Sequence, residues 1–319
     1  MAAGAPDPVL VIGGPTASGK SALALELAER LDGVVINADS MQVYRELPVL
    51  TAQPDAAARA RAPHRLYGVL PGDAPCSAGR WREMALAEID AALAAGRRPV
   101  VVGGTGLYLS ALTQGIADIP PVPEAARAEA TALYDRLGGT AFRDALAAHD
   151  PATAARLPPG DRQRLIRAWE VAAATGRPLS DWQAGPEAAP PPHLVFDVVL
   201  VLPPRAALYA ACDARFTAMM EAGAPDEVRA LAARRLDPGL PVMKALGVPE
   251  LLRHLAGALP RDEAIRLARQ ATRRYAKRQY TWFRHRGGMP RARVRSHTAV
   301  AQYSESLASE IFNKVQIGH

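Results

Sequence analysis

The chain has only two cysteines, Cys76 and Cys212, in 319 residues. They lie far apart and outside any metal-ligand spacing, which excludes a zinc module, and a reducing compartment removes the case for a disulfide. Both read as small buried hydrophobes. No apolar run approaches the roughly 20 residues of a membrane span, and the start, Met1 to Pro8, has neither the basic residues nor the apolar core of a secretion signal. A cytoplasmic protein is expected, with no membrane association and no obligate protein partner. Acidic residues are scarce in one region above all. From Arg261 to Arg295 only Asp262 and Glu263 stand against Arg261, Arg266, Arg269, Arg273, Arg274, Lys277, Arg278, Arg284, Arg286, Arg291, Arg293 and Arg295. The net charge of +6 is therefore concentrated there, as a surface suited to a polyanion.

What is present begins with Gly14-Pro15-Thr16-Ala17-Ser18-Gly19-Lys20-Ser21, between the apolar run Val9 to Ile12 and a helical pattern. It fits the G-x-x-x-x-G-K-[ST] phosphate loop. Glycines let backbone N–H groups wrap an anion, the helix N-terminus adds positive dipole, and Lys20 and Ser21 supply a cation and a Mg²⁺ ligand. The loop predicts a bound di- or triphosphate. What happens to that phosphate is left open by the loop alone.

Apolar runs predict buried parallel strands at about 9–13, 33–37, 99–102 and 196–202, with helices at about 20–31 and 80–96 between them. That order predicts an α/β fold, a P-loop-type doubly wound parallel sheet, with ligands at the carboxyl ends of the strands. Residues 118–195 break the alternation between a proline-rich entry at Ile119 to Pro123 and a proline-rich exit at Pro186 to Pro192. Helical patterns near 124–137, 140–148, 151–156 and 161–175 fill the interval, predicting an inserted all-helical domain. The expected organisation is thus a core over 1–117, the insertion over 118–195, the second part of the core over 196–295, and a loosely attached polar tail over 296–319. Helices near 205–221, 225–235, 247–256 and 262–284 complete the second part.

Two loops and three helices carry candidate chemistry. Asp39, in Asp39-Ser40-Met41-Gln42-Val43-Tyr44, follows the second strand and reads as a metal-linked carboxylate, a general base, or a turn cap. Ser40 and Gln42 offer groups able to read a base edge. After the third strand, Gly103-Gly104-Thr105-Gly106-Leu107-Tyr108 permits close backbone approach to a ligand with Thr105 in the cleft, or is simply a tight turn. Arg215 lies on a predicted helix as either a solvated charge or a phosphate contact. In Asp161 to Val171, Leu165, Ile166 and Trp169 form a packing stripe, leaving Gln163, Arg164 and Arg167 for a partner. In the closing helix Ile265, Ala268, Thr272, Tyr275, Gln279 and Trp282 form one stripe, with cations distributed around it. Basic and aromatic residues together suit phosphate contact and base stacking, or the aromatics are simply the packed face.

In order along the chain, these segments resemble the bacterial tRNA dimethylallyltransferase family. The matching pieces are Gly14 to Ser21, Asp39 to Tyr44, Gly103 to Tyr108, Asp161 to Val171, and Lys277-Arg278-Gln279-Tyr280-Thr281-Trp282-Phe283-Arg284. The resemblance implies transfer of a dimethylallyl group from dimethylallyl diphosphate to N6 of the adenosine 3′ of the anticodon in tRNA. Gly14, Pro15, Thr16, Ala17, Ser18, Gly19, Lys20 and Ser21 would hold the diphosphate, with Mg²⁺ on Ser21. Asp39, Thr105 and Arg215 would be catalytic: base, reacting-centre hydroxyl and leaving-group cation. Asp39, Ser40, Met41, Gln42, Thr105, Gln163, Arg164, Leu165, Ile166, Arg167, Lys277, Arg278, Gln279, Trp282 and Arg284 would touch tRNA, insertion and closing helix clamping the anticodon arm. Two places depart from the family pattern: Gln53 stands where a lysine is common, and Val248-Pro249 replaces an expected aromatic-basic pair. A nucleoside-kinase-like phosphotransferase would explain the loop and sheet but leaves the basic helix without purpose. A nucleotide-switched RNA binder leaves Asp39 and Thr105 without one.

Overall fold

A computed structural model describes residues 7–185, 189–286, 292–297, 308–309 and 311–313. They divide into two units, Met1–Gln114 with Pro191–His319, and Gly115–Pro190. In the first unit lie strands β1 (Asp7–Gly13), β2 (Gly33–Asn37), β3 (His64–Arg65), β4 (Arg98–Gly103), β5 (Leu194–Val201) and β6 (Ala292–His297). They form one parallel sheet in the order β3-β2-β4-β1-β5-β6. Four strands were legible as apolar runs. The two edge strands were not, because β3 is two residues long and β6, Ala-Arg-Val-Arg-Ser-His, has no such run.

Alternate residues of the strands enter opposite cores. Val9, Val11, Ile36, Val101, Val198 and Leu200 face one side, and Leu10, Ile12, Val35, Val100, Val102 and Val199 the other. Both faces are covered, which is why the strands read as unbroken apolar runs instead of alternating patterns. Helix α1 (Lys20–Arg30) covers the second side with Leu23, Ala24, Leu27 and Ala28. Between β2 and β3 runs α2 (Ala56–Arg61), capped by Asp55, whose Oδ1 accepts from Ala58 N–H at 2.8 Å. The first side takes α3 (Ala78–Ala94), where Trp81, Ala85, Ile89 and Ala92 recur at helical spacing, and α4 (Gly106–Thr113). Ser77 starts α3 by accepting the Arg80 N–H at 3.1 Å.

The second unit is all-helical among its described residues: α5 (Glu124–Leu146), α6 (Pro151–Arg156), α7 (Arg162–Thr175) and α8 (Leu179–Ala184). At Gly138 α5 is broken by a φ of 73°, so it is two helical pieces meeting where the sequence pattern paused. Asp161 caps α7 and Gly176, at φ 68°, ends it. Leu165, Ile166, Ala168 and Val171 pack with Phe142 and Leu146 into this unit's own core. The first unit then closes with α9 (Arg205–Glu221), α10 (Ala224–Ala233), a short 3-10 turn at Pro241–Lys244, α11 (Val248–Leu255) and α12 (Arg261–Arg286).

Two expectations change here. Among the described residues of the tail, Ala308 and Ile311 are fully buried beside α1 residues, and Arg30 donates to Ser309 Oγ at 3.0 Å. Two apolar side chains in a polar stretch gave no readable period. Cys76, expected to be buried, is partly exposed, while Cys212 is fully buried as expected. Most of the tail, the proline exit at 186–188, and the side chains of Arg286, Arg291, Arg293 and Arg295 lie outside the described residues.

Candidate active site

Register brings the three signature loops together. Gly13 of β1 is level with Gly103 of β4, and Asn37 of β2 is level with Val102 one residue earlier. Since the strands are parallel, the phosphate loop, the Asp39 turn and the Gly104-Thr105 turn leave the same edge side by side. Their glycines serve the protein's own packing. A Cβ on Gly103 would overlap the carbonyl oxygen of Ala38, and one on Gly104 would overlap the side-chain amide of Gln279. The close approach expected there to a ligand is made instead by neighbouring protein atoms. Gly103→Ala is accordingly expected to cost about 3 kcal/mol, the upper end of overpacking, because backbone cannot give way as a side chain can. Chemical denaturation checks it, and a loss within a few tenths of a kcal/mol would contradict the packing account.

The phosphate loop has the curl of an anion nest. Ala17 and Gly19 hold φ of 61° and 87°, and no side chain caps the first N–H groups of α1. Ser18 Oγ is buried without a hydrogen-bond partner. Lys20 Nζ reaches back to the Pro15 carbonyl at 3.2 Å, and Arg215 from α9 donates to Thr16 Oγ1. Arg215 is thus a loop contact, not a solvated charge. Burial pulls both cations' pKa down, that of Lys20 to about 8, while the Asp39 carboxylate opposes the shift in each. Neither is in an ion pair among the described residues. Two desolvated cations without a fixed carboxylate form a site that an anion stabilises.

Asn37, fully buried, shapes the Asp39 turn: its Oδ1 accepts the Asp39 N–H at 2.8 Å and its Nδ2 donates to the carbonyls of Asp39 and Leu66, both at 3.0 Å. Trp81 Nε1 donates to the Asn37 carbonyl at 2.8 Å and its ring stacks on Tyr108. Asp39 Oδ1 accepts the Met41 N–H at 2.9 Å, so the turn-cap reading is part of its role. The Thr105 hydroxyl accepts the Ser40 N–H at 2.9 Å and lies 3.3 Å from Ser40 Oγ. Burial, and next the Asp39 carboxylate, push the phenol of Tyr275 on α12 well above its ordinary pKa. Asn37 escaped the sequence reading because it looks like any strand-end asparagine, while Tyr275 entered it only as part of the closing helix's stripe.

Several predicted partner contacts are spent on the protein itself. Gln279, 6% exposed, accepts the Thr16 N–H at 2.8 Å through Oε1 and donates from Nε2 to the Gly104 carbonyl at 2.7 Å. It joins the phosphate loop to the Thr105 turn and is not a surface group. Gln42 Nε2 donates to the carbonyls of Thr51 and Ala52, leaving only its amide oxygen. Met41 is half-buried against the first core. Leu165 and Ile166 are core residues of the helical unit, because their spacing on α7 points them inward. Trp282 packs against Gly106 and Phe283 and is partly covered.

Lys277, Arg278 and Arg284 are exposed, as are Gln163 and Arg164, while Arg167 pairs with Glu170 at 2.7 Å. Arg278 covers the Tyr275 ring with its guanidinium 5.5 Å from the centroid. The basic stretch is less one-sided than its sequence suggests. Arg273 pairs with Asp213 of α9 at 2.5 Å and Arg266 with Glu263 at 2.6 Å. Asp213, Asp262, Ile265, Arg266, Arg269 and Arg273 line a cleft of about 400 Å³, two carboxylates against three guanidinium groups. At the departing positions, half-buried Gln53 donates to the Tyr44 carbonyl at 2.7 Å, Val248 is fully buried and Pro249 is exposed. Among the described residues no helix is long and apolar enough to cross a membrane, and no three His, Cys, Asp or Glu side chains cluster as a metal site.

Residues 42–286 match the family model for IPP transferase. The chain is 66% identical over 278 residues to a tRNA dimethylallyltransferase of Rhodospirillum centenum, spanning 87% of this chain and 88% of that one. With a tRNA dimethylallyltransferase of Paramagnetospirillum magneticum the identity is 54% over 97% of this chain and 96% of the other. Among solved structures, the full-length tRNA isopentenylpyrophosphate transferase of Bacillus halodurans superposes with a TM-score of 0.67 at 32% identity, covering 97% and 96% of the two chains. A eukaryotic dimethylallyltransferase acting on tRNA has a TM-score of 0.80 at 24% identity over 98% of this chain and 80% of that one, a likeness of fold.

Proposed function

This chain belongs to the IPP transferase family and is a tRNA dimethylallyltransferase; from that premise we propose that the donor is dimethylallyl diphosphate and the acceptor N6 of the adenosine 3′ of the anticodon. The observation that carries the finer reading is one sheet edge where buried Lys20 and half-buried Arg215, without an ion-pair partner among the described residues, stand within electrostatic reach of the Asp39 carboxylate. A leaving anion and an acceptor's proton would thereby be served at one centre.

In the step, N6 attacks the allylic C1, the C1–O bond breaks, and diphosphate departs with the bonding pair. Asp39 takes the proton from N6. Lys20, Arg215 and the N–H groups opening α1 stabilise charge as it gathers on the leaving oxygens. An adenine amine is a weak nucleophile, so most of the acceleration must come from the leaving-group side. Ser21, exposed at the start of α1, suits Mg²⁺, which takes few protein ligands and completes its shell with phosphate oxygens and water. Mg²⁺ would neutralise part of the diphosphate charge.

The exposed Lys277, Arg278 and Arg284 on α12 would meet tRNA phosphates, and on the helical unit Gln163 and Arg164 offer further contacts. Because the target base is stacked in the anticodon arm, it must be extruded to reach Asp39. Such a substrate puts the enzyme in the cytoplasm.

Incubation with unmodified tRNA plus dimethylallyl diphosphate, and separately ATP, tests the reading by nucleoside mass spectrometry. A prenyl increment on the adenosine 3′ of the anticodon is expected with the first donor only. Phosphoryl transfer or hydrolysis with ATP, and no prenylation, would sink it.

A further inference from the structure

Gln279 follows two exposed cations, Lys277 and Arg278, yet it is itself buried. Its Oε1 accepts the Thr16 N–H at 2.8 Å and its Nε2 donates to the Gly104 carbonyl at 2.7 Å. Thr16 belongs to the loop that would hold the leaving diphosphate, and Gly104 directly precedes Thr105. We propose that Gln279 is a positioning residue for prenyl transfer: its one amide spans the donor loop and the acceptor turn and sets the gap between them.

The two ends call for an amide. Thr16 offers a hydrogen and Gly104 a lone pair, so the bridging group must accept at one end and donate at the other. A carboxylate would set an oxygen against the Gly104 carbonyl, and an apolar side chain would leave two buried backbone groups unpaired. Packing fixes where that amide stands. A Cβ on Gly104 would overlap the Gln279 amide, one on Gly106 the Trp282 ring, and one on Gly13 the Phe283 ring, so α12 seats on the ends of both β1 and β4. Thr16 is held a second time, since Arg215 on α9 donates to its Oγ1, and Arg273 ties α12 to α9 through Asp213 at 2.5 Å. Attack on an allylic carbon needs reacting atoms roughly 3–3.5 Å apart, and a misplacement of about 1 Å costs on the order of a hundredfold in rate. A bridge of fixed length between the two loops meets that need from inside the protein.

The inference rests on the proposed prenyl transfer, and the test separates the two. With wild-type protein first shown to prenylate tRNA, the single-turnover rate at saturating donor and tRNA, the tRNA Kd by gel shift, and the folded fraction are measured for Gln279→Met and Gln279→Asn. Methionine matches the length without the hydrogen bonds. Asparagine keeps both polar groups but is one methylene short, so it reaches one end at a time and leaves the buried site polar should the methionine variant fail to fold. Per folded molecule, each variant should lose about ten- to a hundredfold in rate, with tRNA Kd within about twofold of wild type. A weakened tRNA Kd at unchanged rate would make Gln279 a tRNA contact and overturn the assignment. So would a loss of stability alone, with the wild-type rate per folded molecule. Failure of the wild-type protein to prenylate would instead strike the underlying reading.

Discussion

Asp39→Asn should lower kcat by a hundredfold or more, within the roughly 10²–10⁴ that a positioned base contributes, while tRNA affinity stays close to wild type. Asparagine is the informative replacement. Its carbonyl oxygen can still accept the Met41 N–H, so the turn survives, but it cannot take a proton from N6. Asp39→Ala removes both functions and should show the same catalytic loss plus about 1 kcal/mol of stability for the vacated cap. Single-turnover kinetics with gel-shift binding separates the outcomes. Equal loss of turnover and binding would move Asp39 from base to structural residue.

Lys20→Met should reduce donor affinity and turnover together, since a buried cation touching the leaving group acts in ground state and transition state alike. A loss of one to three orders of magnitude in kcat/KM is expected, about 1.4–4 kcal/mol. Its lowered pKa adds a pH signature. In the free protein Lys20 is charged below about pH 8 and neutral above it, so donor affinity is present below that point and falls as pH rises through it. Diphosphate binding near pH 8 should therefore take up protons, visible in calorimetry as a binding heat that changes with the buffer's ionisation heat. Stability moves the other way. Between about 8 and the 10.5 of an exposed lysine the folded state holds fewer protons than the unfolded one, so stability rises with pH, by roughly 3 kcal/mol across the window. Lys20→Met should abolish both trends. Buffer-independent heats in the wild type would remove Lys20 as the titrating group.

Much of the site was readable because its chemistry is local. A phosphate loop needs its glycines, lysine and hydroxyl within eight consecutive residues, and Asp39 and Thr105 follow strand ends that apolar runs mark. The helical unit was readable for a similar reason: Asp161, Leu165, Ile166 and Gly176 cap, pack and stop α7 through neighbours one or two turns away. Contact with a partner was not readable at the same level. Gln279, Leu165 and Ile166 share segments with exposed cations, and only their place on the helix separates an inward side chain from an outward one. Gln42 looked free because nothing nearby in sequence announces the carbonyls of Thr51 and Ala52 that hold it.

By itself the sequence determined the fold class, the reaction family and the loops that meet at the site, since period, turn chemistry and short motifs act over a few residues. Tertiary structure alone decided what those residues do beside one another. Thr16 and Gly104 are held by Gln279 across more than 170 residues of chain, and Arg215 reaches the phosphate loop from α9. Hydrogen bonds and burial between distant segments leave no local pattern, because the distance that matters to them is measured through space.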